Sequence, residues 1–100
     1  MSLIIAGTVR VPEERLDGLR PHMKAMVEAS RLEDGCGAYA YGEDVLEPGL
    51  IRVFEVWRDQ VALDAHFKSA HMARWREAWR SFGVSDRRLI AYEIADQRPL

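Results

Sequence analysis

The stretch "CGAYAYGEDVLEPGLIRVFEVWRD", residues 36–59, contains two apolar-rich runs separated by a turn. In the first run, Cys36 to Val45, residues alternate: Tyr39, Tyr41 and Glu43 on one face, Cys36, Ala38 and Ala40 on the other. "LEPG", Leu46 to Gly49, places Pro48 and Gly49 where tight turns favour them. In the second run, Leu50 to Asp59, Ile51, Val53, Glu55 and Trp57 share a face, and Arg52, Phe54 and Val56 share the opposite one. Period-two patterning on both sides of a turn predicts an antiparallel hairpin.

The flanks fit the same scheme. Residues 3–11, "LIIAGTVRV", predict a strand with Leu3, Ile5, Gly7, Val9 and Val11 on one face. Pro12 ends it, and Glu13 and Glu14 suit a helix N-terminus. From Glu13 to Arg31 the residues Leu16, Leu19, Met23, Met26, Val27 and Ser30 recur at helical spacing. Pro21 lies inside that helix and predicts a kink or a restart near Gly18 to Pro21. After the hairpin, Asp59 suits a cap for a helix in "QVALDAHFKSA", with Leu63, His66 and Phe67 on one face. "HMARWREAWRSFG" predicts another helix, with Met72, Trp75, Trp79 and Phe82 inward and Gly83 as its stop. Residues 87–96 predict the last strand. The order β-α-β-β-α-α-β is that of an α+β, ferredoxin-like split βαβ fold, a four-stranded antiparallel sheet with helices on one face. No linker or repeat interrupts residues 1–100, so one domain is expected. Both strand faces carry apolar residues, so the uncovered face predicts a two-fold dimer, sheet against sheet.

Composition excludes several classes. Apolar residues make up 48% of the chain, enough for a packed core and too many for disorder. The net charge is -2, and basic residues mix with acidic ones, as at Asp86, Arg87 and Arg88, so no nucleic-acid-binding stripe is expected. The lone cysteine, Cys36, cannot form an internal disulfide, which makes a reduced, cytoplasmic setting the expectation. The N-terminus lacks the pattern of a signal peptide, and no apolar run reaches the roughly 20 residues of a membrane helix. Gly35 and Gly37 do not make a phosphate-binding loop, and Cys36 has no adjacent base.

Three residue types could carry chemistry. His66, on the sheet-facing side of its helix, is either a hydrogen-bonded histidine at the core edge or a base or donor in a pocket between helix and sheet. His71, at the junction of two helices, is either a cap or a second polar group at the pocket mouth. Their i, i+5 spacing does not put both rings on one helix face, so no shared metal site is expected. Glu55 is a carboxylate on an apolar strand face and requires a partner, with His66, a tyrosine or a second subunit as candidates. Tyr39, Tyr41, Trp57, Trp75, Trp79 and Phe82 suit either a core and interface or the walls of a site for a flat organic ligand.

Residues 33–72 carry a series of short elements in order: Glu33, Gly35, Cys36 and Tyr39; Asp44 and Pro48; Glu55 and Trp57; Ala62, Leu63 and His66; His71 and Met72. In this series the chain resembles the antibiotic biosynthesis monooxygenase family. The resemblance implies a dimeric α/β barrel of ferredoxin-like subunits. It further implies oxidation of a quinol-like or polycyclic phenolic substrate by O2 without metal, flavin or nicotinamide. His66 and His71 are then the catalytic candidates, and Tyr39, Trp57, Trp75 and Glu55 the substrate-binding ones. Haem-degrading members carry an Asn-Trp-His triad, and Gly7, His66 and Arg76 stand at those positions here. An isomerase of a phosphorylated polar ketone and a non-catalytic ligand-binding dimer are the alternatives on the same scaffold.

Overall fold

A computed structural model describes residues 1–100. The elements follow in the order β1 (Leu3–Arg10), a 3-10 turn (Glu13–Arg15), α1 (Leu16–Arg31), β2 (Cys36–Glu43), β3 (Leu50–Trp57), α2 (Gln60–Phe67), α3 (Ala70–Phe82) and β4 (Ser85–Glu93). The sheet order is β2-β3-β1-β4, and every pairing is antiparallel. This is the expected split βαβ arrangement. The final strand lies earlier than predicted, over Ser85–Glu93, and the helix restart falls at Arg15/Leu16. From Leu16 the α-helix runs unbroken through Pro21, which gives up one backbone donor there.

Helices and sheet meet over one apolar layer. Leu3, Ile5, Val9, Ile51 and Trp57 of the sheet pack with Leu16, Leu19, Met23 and Met26 of α1 and with Leu63, Met72 and Trp75 of α2 and α3. Asp59 caps α2 by accepting from the Ala62 amide at 2.9 Å. Ser69 caps α3 by accepting from Met72 N at 3.2 Å, and its hydroxyl donates to the His66 carbonyl at 2.7 Å. Gly83 ends α3 with φ 74°, the left-handed turn that glycine adopts without penalty.

Two irregularities re-aim side chains. Cys36 pairs with Trp57 and Ala38 with Val56, so Gly37 is an extra residue in β2. Cys36 therefore does not share a face with Ala38 and Ala40, as strict alternation predicts; it packs against the core. In β4, Thr8 pairs with Arg88 and Arg10 with Ser85, leaving Asp86 and Arg87 opposite Val9 alone. Asp86 takes φ 50° there. Arg87 keeps the helix-covered face that it shares with Leu89, two residues on.

The other sheet face has no helix. Its paired rows read Ala40, Phe54, Ala6, Ile90 and Ala38, Val56, Ile4, Tyr92. Phe54, Ile90 and Tyr92 are 44%, 56% and 51% exposed.

Candidate functional site

Between the inner sheet face and α2 and α3 lies a cleft. Tyr39 and Tyr41 of β2, Val53 and Glu55 of β3, His66 and Phe67 of α2, Trp75 and Trp79 of α3, and Arg87 and Leu89 of β4 all line it. Its free interior is about 20 Å3, room for about one water.

His66 is 1% exposed. Its ring packs on Trp57, 4.6 Å between centroids, and beside Tyr39 at 5.4 Å. Its position has a local origin. Gly35, with φ 83°, brings the turn after α1 so close to α2 that a Cβ there would meet Ala62 Cβ at 2.6 Å. Ala62 and His66 lie one helical turn apart, so the same turn carries Glu33 over the imidazole. Glu33 Oε2 stands 2.6 Å from His66 Nδ1 and 3.0 Å from His71 Nε2. Burial pushes the His66 pKa down from 6.5, and the Glu33 carboxylate opposes that shift. Burial is the larger of the two effects, so the neutral imidazole is favoured.

Glu33, His66 and His71 are the residues that could hold a metal, with ligand atoms all within 4.8 Å of one another. Two donors sharing one tetrahedral zinc at its usual ligand distances of about 2.0–2.1 Å would stand about 3.3 Å apart. The 2.6 Å contact between Glu33 and His66 is instead the separation of a short, charge-assisted hydrogen bond.

Glu55, 5% exposed, accepts from the Trp57 indole Nε1 at 2.9 Å. The partner is thus neither His66, a tyrosine nor a second subunit, but the next inward residue on its own strand. Burial raises the Glu55 pKa above 4.5, and the Trp57 hydrogen bond and Arg87 counter this. Beside it the Tyr39 and Tyr41 hydroxyls meet at 2.5 Å, and burial raises both phenol pKa values. Tyr41 stacks on Trp75 at 5.5 Å, and the Arg87 guanidinium lies 5.5 Å from the Trp79 ring centre. Trp79 Nε1 is buried with no partner.

The structure thus brings His66, Glu55, Tyr39 and Trp75 of the sequence candidates to the cleft. Two do not line it. Trp57 is fully buried behind His66 as core. His71 lies not at the cleft mouth but in a groove with His22, Met26 and Arg74, because Ser69 starts a new helix and turns it away. Two residues were missed. Glu33 sits 33 positions from His66 in a turn, and the hairpin and helix patterns say nothing about what a turn carboxylate touches. Arg87 looks like part of a solvated charged run, and only its alternation with Leu89 in the last strand signals that it faces the cleft.

A split βαβ sheet with helices on one face and a histidine at the wall of an aromatic cleft defines the fold class, and sequence comparison is more specific. The model of the family described as antibiotic biosynthesis monooxygenase matches residues 2–78, and the chain belongs to that family. Rv0793 of Mycobacterium tuberculosis, whose monooxygenase name is provisional, is 36% identical over 73 residues, 73% of this chain and 70% of that one. The uncharacterized protein sll1783 of Synechocystis is 29% identical over 98 residues, 98% of this chain and 67% of that one. A crystal structure from Deinococcus radiodurans, provisionally named an antibiotic biosynthesis monooxygenase, superposes with a TM-score of 0.89 at 26% identity, covering 100% of this chain and 98% of that one.

Proposed function

We propose that the chain is a cofactor-independent monooxygenase acting on a quinol-like or polycyclic phenolic substrate. The observation that carries this reading is the placement of His66: buried, on the wall of an aromatic cleft, with Glu33 on Nδ1 and no protein partner at Nε2. Nε2 takes the phenolic proton, and the anion passes one electron to O2. The radical pair closes to a carbon-bound peroxide, which is protonated and loses water. For a hydroquinone the balance is QH2 plus O2 giving a hydroxyquinone plus H2O, so no outside reductant is needed. The developing oxyanion finds the Arg87 guanidinium and the hydroxyls of Tyr39 and Tyr41 in the same walls. A flat ring fits between Tyr41, Trp75 and Trp79 once the exposed rim residue Phe67 swings outward.

The cleft walls also weigh on the alternatives. Ten of the 13 lining residues are hydrophobic and Arg87 is the one cationic side chain among them, a poor match for a phosphorylated polar ketone. For assembly, the apolar face carrying Phe54, Ile90 and Tyr92 supports a homodimer packed sheet to sheet. Oxygen uptake in chelator-treated buffer, with a panel of hydroquinones and polycyclic phenols, tests the enzymatic reading. Uptake well above the autoxidation blank is expected, and uptake equal to the blank across the panel overturns it.

A further inference from the structure

The contact of one carboxylate oxygen with two histidines assigns roles that spacing alone leaves open. A carboxylate can only accept hydrogen bonds. A nitrogen 2.6 Å from Glu33 Oε2 therefore carries the proton, and that nitrogen is His66 Nδ1. In a neutral ring the other nitrogen, Nε2, then holds a lone pair. No protein group pairs with Nε2, and His66 forms part of the cleft wall. The same logic puts a proton on His71 Nε2, which stands 3.0 Å from the same oxygen.

We propose that Glu33 is a positioning residue that fixes the Nδ1–H tautomer of His66 and aims its Nε2 lone pair into the cleft, and that His71 holds the Glu33 carboxylate in place rather than acting as a second base. This deepens the monooxygenase reading and rests on it only for the use made of the lone pair. The arrangement has the logic of a carboxylate–histidine pair in nucleophilic enzymes: the acid sets the tautomer and stabilises the imidazolium once a proton arrives. It also accounts for why a histidine this deeply buried keeps a carboxylate neighbour 16% exposed in its side chain. His71, with 17% of its side chain exposed and its ring in the groove beside His22 and Arg74, is turned away from the reacting space.

The test needs no substrate. The chain has three histidines, His22, His66 and His71, so long-range proton–nitrogen NMR of uniformly labelled protein resolves each ring, with His66→Asn and His71→Asn assigning them. Above the His66 titration, wild type is expected to show His66 with a protonated Nδ1 and an unprotonated Nε2. His71 is expected to show a protonated Nε2. Glu33→Ala should release His66 to a tautomer mixture. The near-isosteric Glu33→Gln should lower its titration midpoint, because the charge opposing desolvation is lost while Tyr39, Glu55, His71 and Arg76 still face the ring or its surroundings. A wild-type His66 protonated at Nε2, or a tautomer and midpoint unchanged in both variants, overturns the proposal. These outcomes are independent of oxygen uptake. The expected spectra from a protein without uptake would reject the monooxygenase reading and leave the positioning role intact.

Discussion

A carboxylate on the inward face of a central strand is costly to keep charged, and Glu55 shows how the chain meets the cost. Its oxygen accepts a hydrogen bond from the Trp57 indole N–H two residues on, and the Arg87 charge favours the carboxylate, yet burial still raises its pKa. Because the folded-state value lies above the unfolded one, folding favours the protonated form. The associated stability is present below the unfolded value near 4.5 and is lost as pH rises through the raised folded value. Glu55→Gln keeps an oxygen for Trp57 and removes the charge. The variant is expected to melt higher than wild type, with the gap widening from pH 4 to 7 in thermal scans; a gap constant over that range would show that Glu55 carries no such penalty. At this scale the sequence was informative about which residues are unusual. It identified His66 and Glu55, because a polar group on an apolar stripe is visible in one dimension. It could not reveal their partners, since Glu33 meets His66 across 33 positions and His71 across 38.

At the scale of elements, periodicity located every strand and helix, and the discrepancies trace to single residues that break a period. The extra Gly37 moves Cys36 to the core face, and Arg87 brings a cation to the cleft, beside Leu89, from a segment that looks like solvated charge. The Gly37 bulge has no composition of its own, so strict alternation assigns Cys36 to the wrong face. Gly7 keeps the period of β1 and instead sets how closely two strands approach. A Cβ there would lie 1.9 Å from the Arg88 carbonyl oxygen, so β4 packs against β1 only because the side chain is absent. Since that oxygen is backbone and both strands are paired on either side, relief requires the strands to part. Gly7→Ala is expected to cost about 3 kcal/mol, the upper end for overpacking, and to lower Tm by more than about 10 °C. A variant melting within about 2 °C of wild type would mean that β4 is free to shift. The displacement matters for the cleft as well, because β4 carries Arg87 and Leu89 into its wall.

For the whole molecule, the one-sided helix layer explains both the cleft and the exposed face. Burying the inner face creates an aromatic space with a polar end, while the outer rows of Ala40, Phe54, Ala6 and Ile90 and of Ala38, Val56, Ile4 and Tyr92 are left without a covering helix. Phe54→Asp puts a charge in the centre of that face without touching the cleft. Light scattering after size exclusion is expected to give a dimer for wild type and a monomer for the variant, and a wild-type monomer at micromolar concentration would reject the pairing. The family membership was legible in the ordered elements from Glu33 to Met72, whereas the division of labour between the two histidines required the fold. The central claim is that the His66 lone pair starts the reaction with O2. The most direct test is the ratio of oxygen-uptake rates between wild type and His66→Asn on the same hydroquinone, with the autoxidation blank subtracted. Loss of a general base predicts a fall of at least about 100-fold; a variant that consumes oxygen at the wild-type rate would contradict the account.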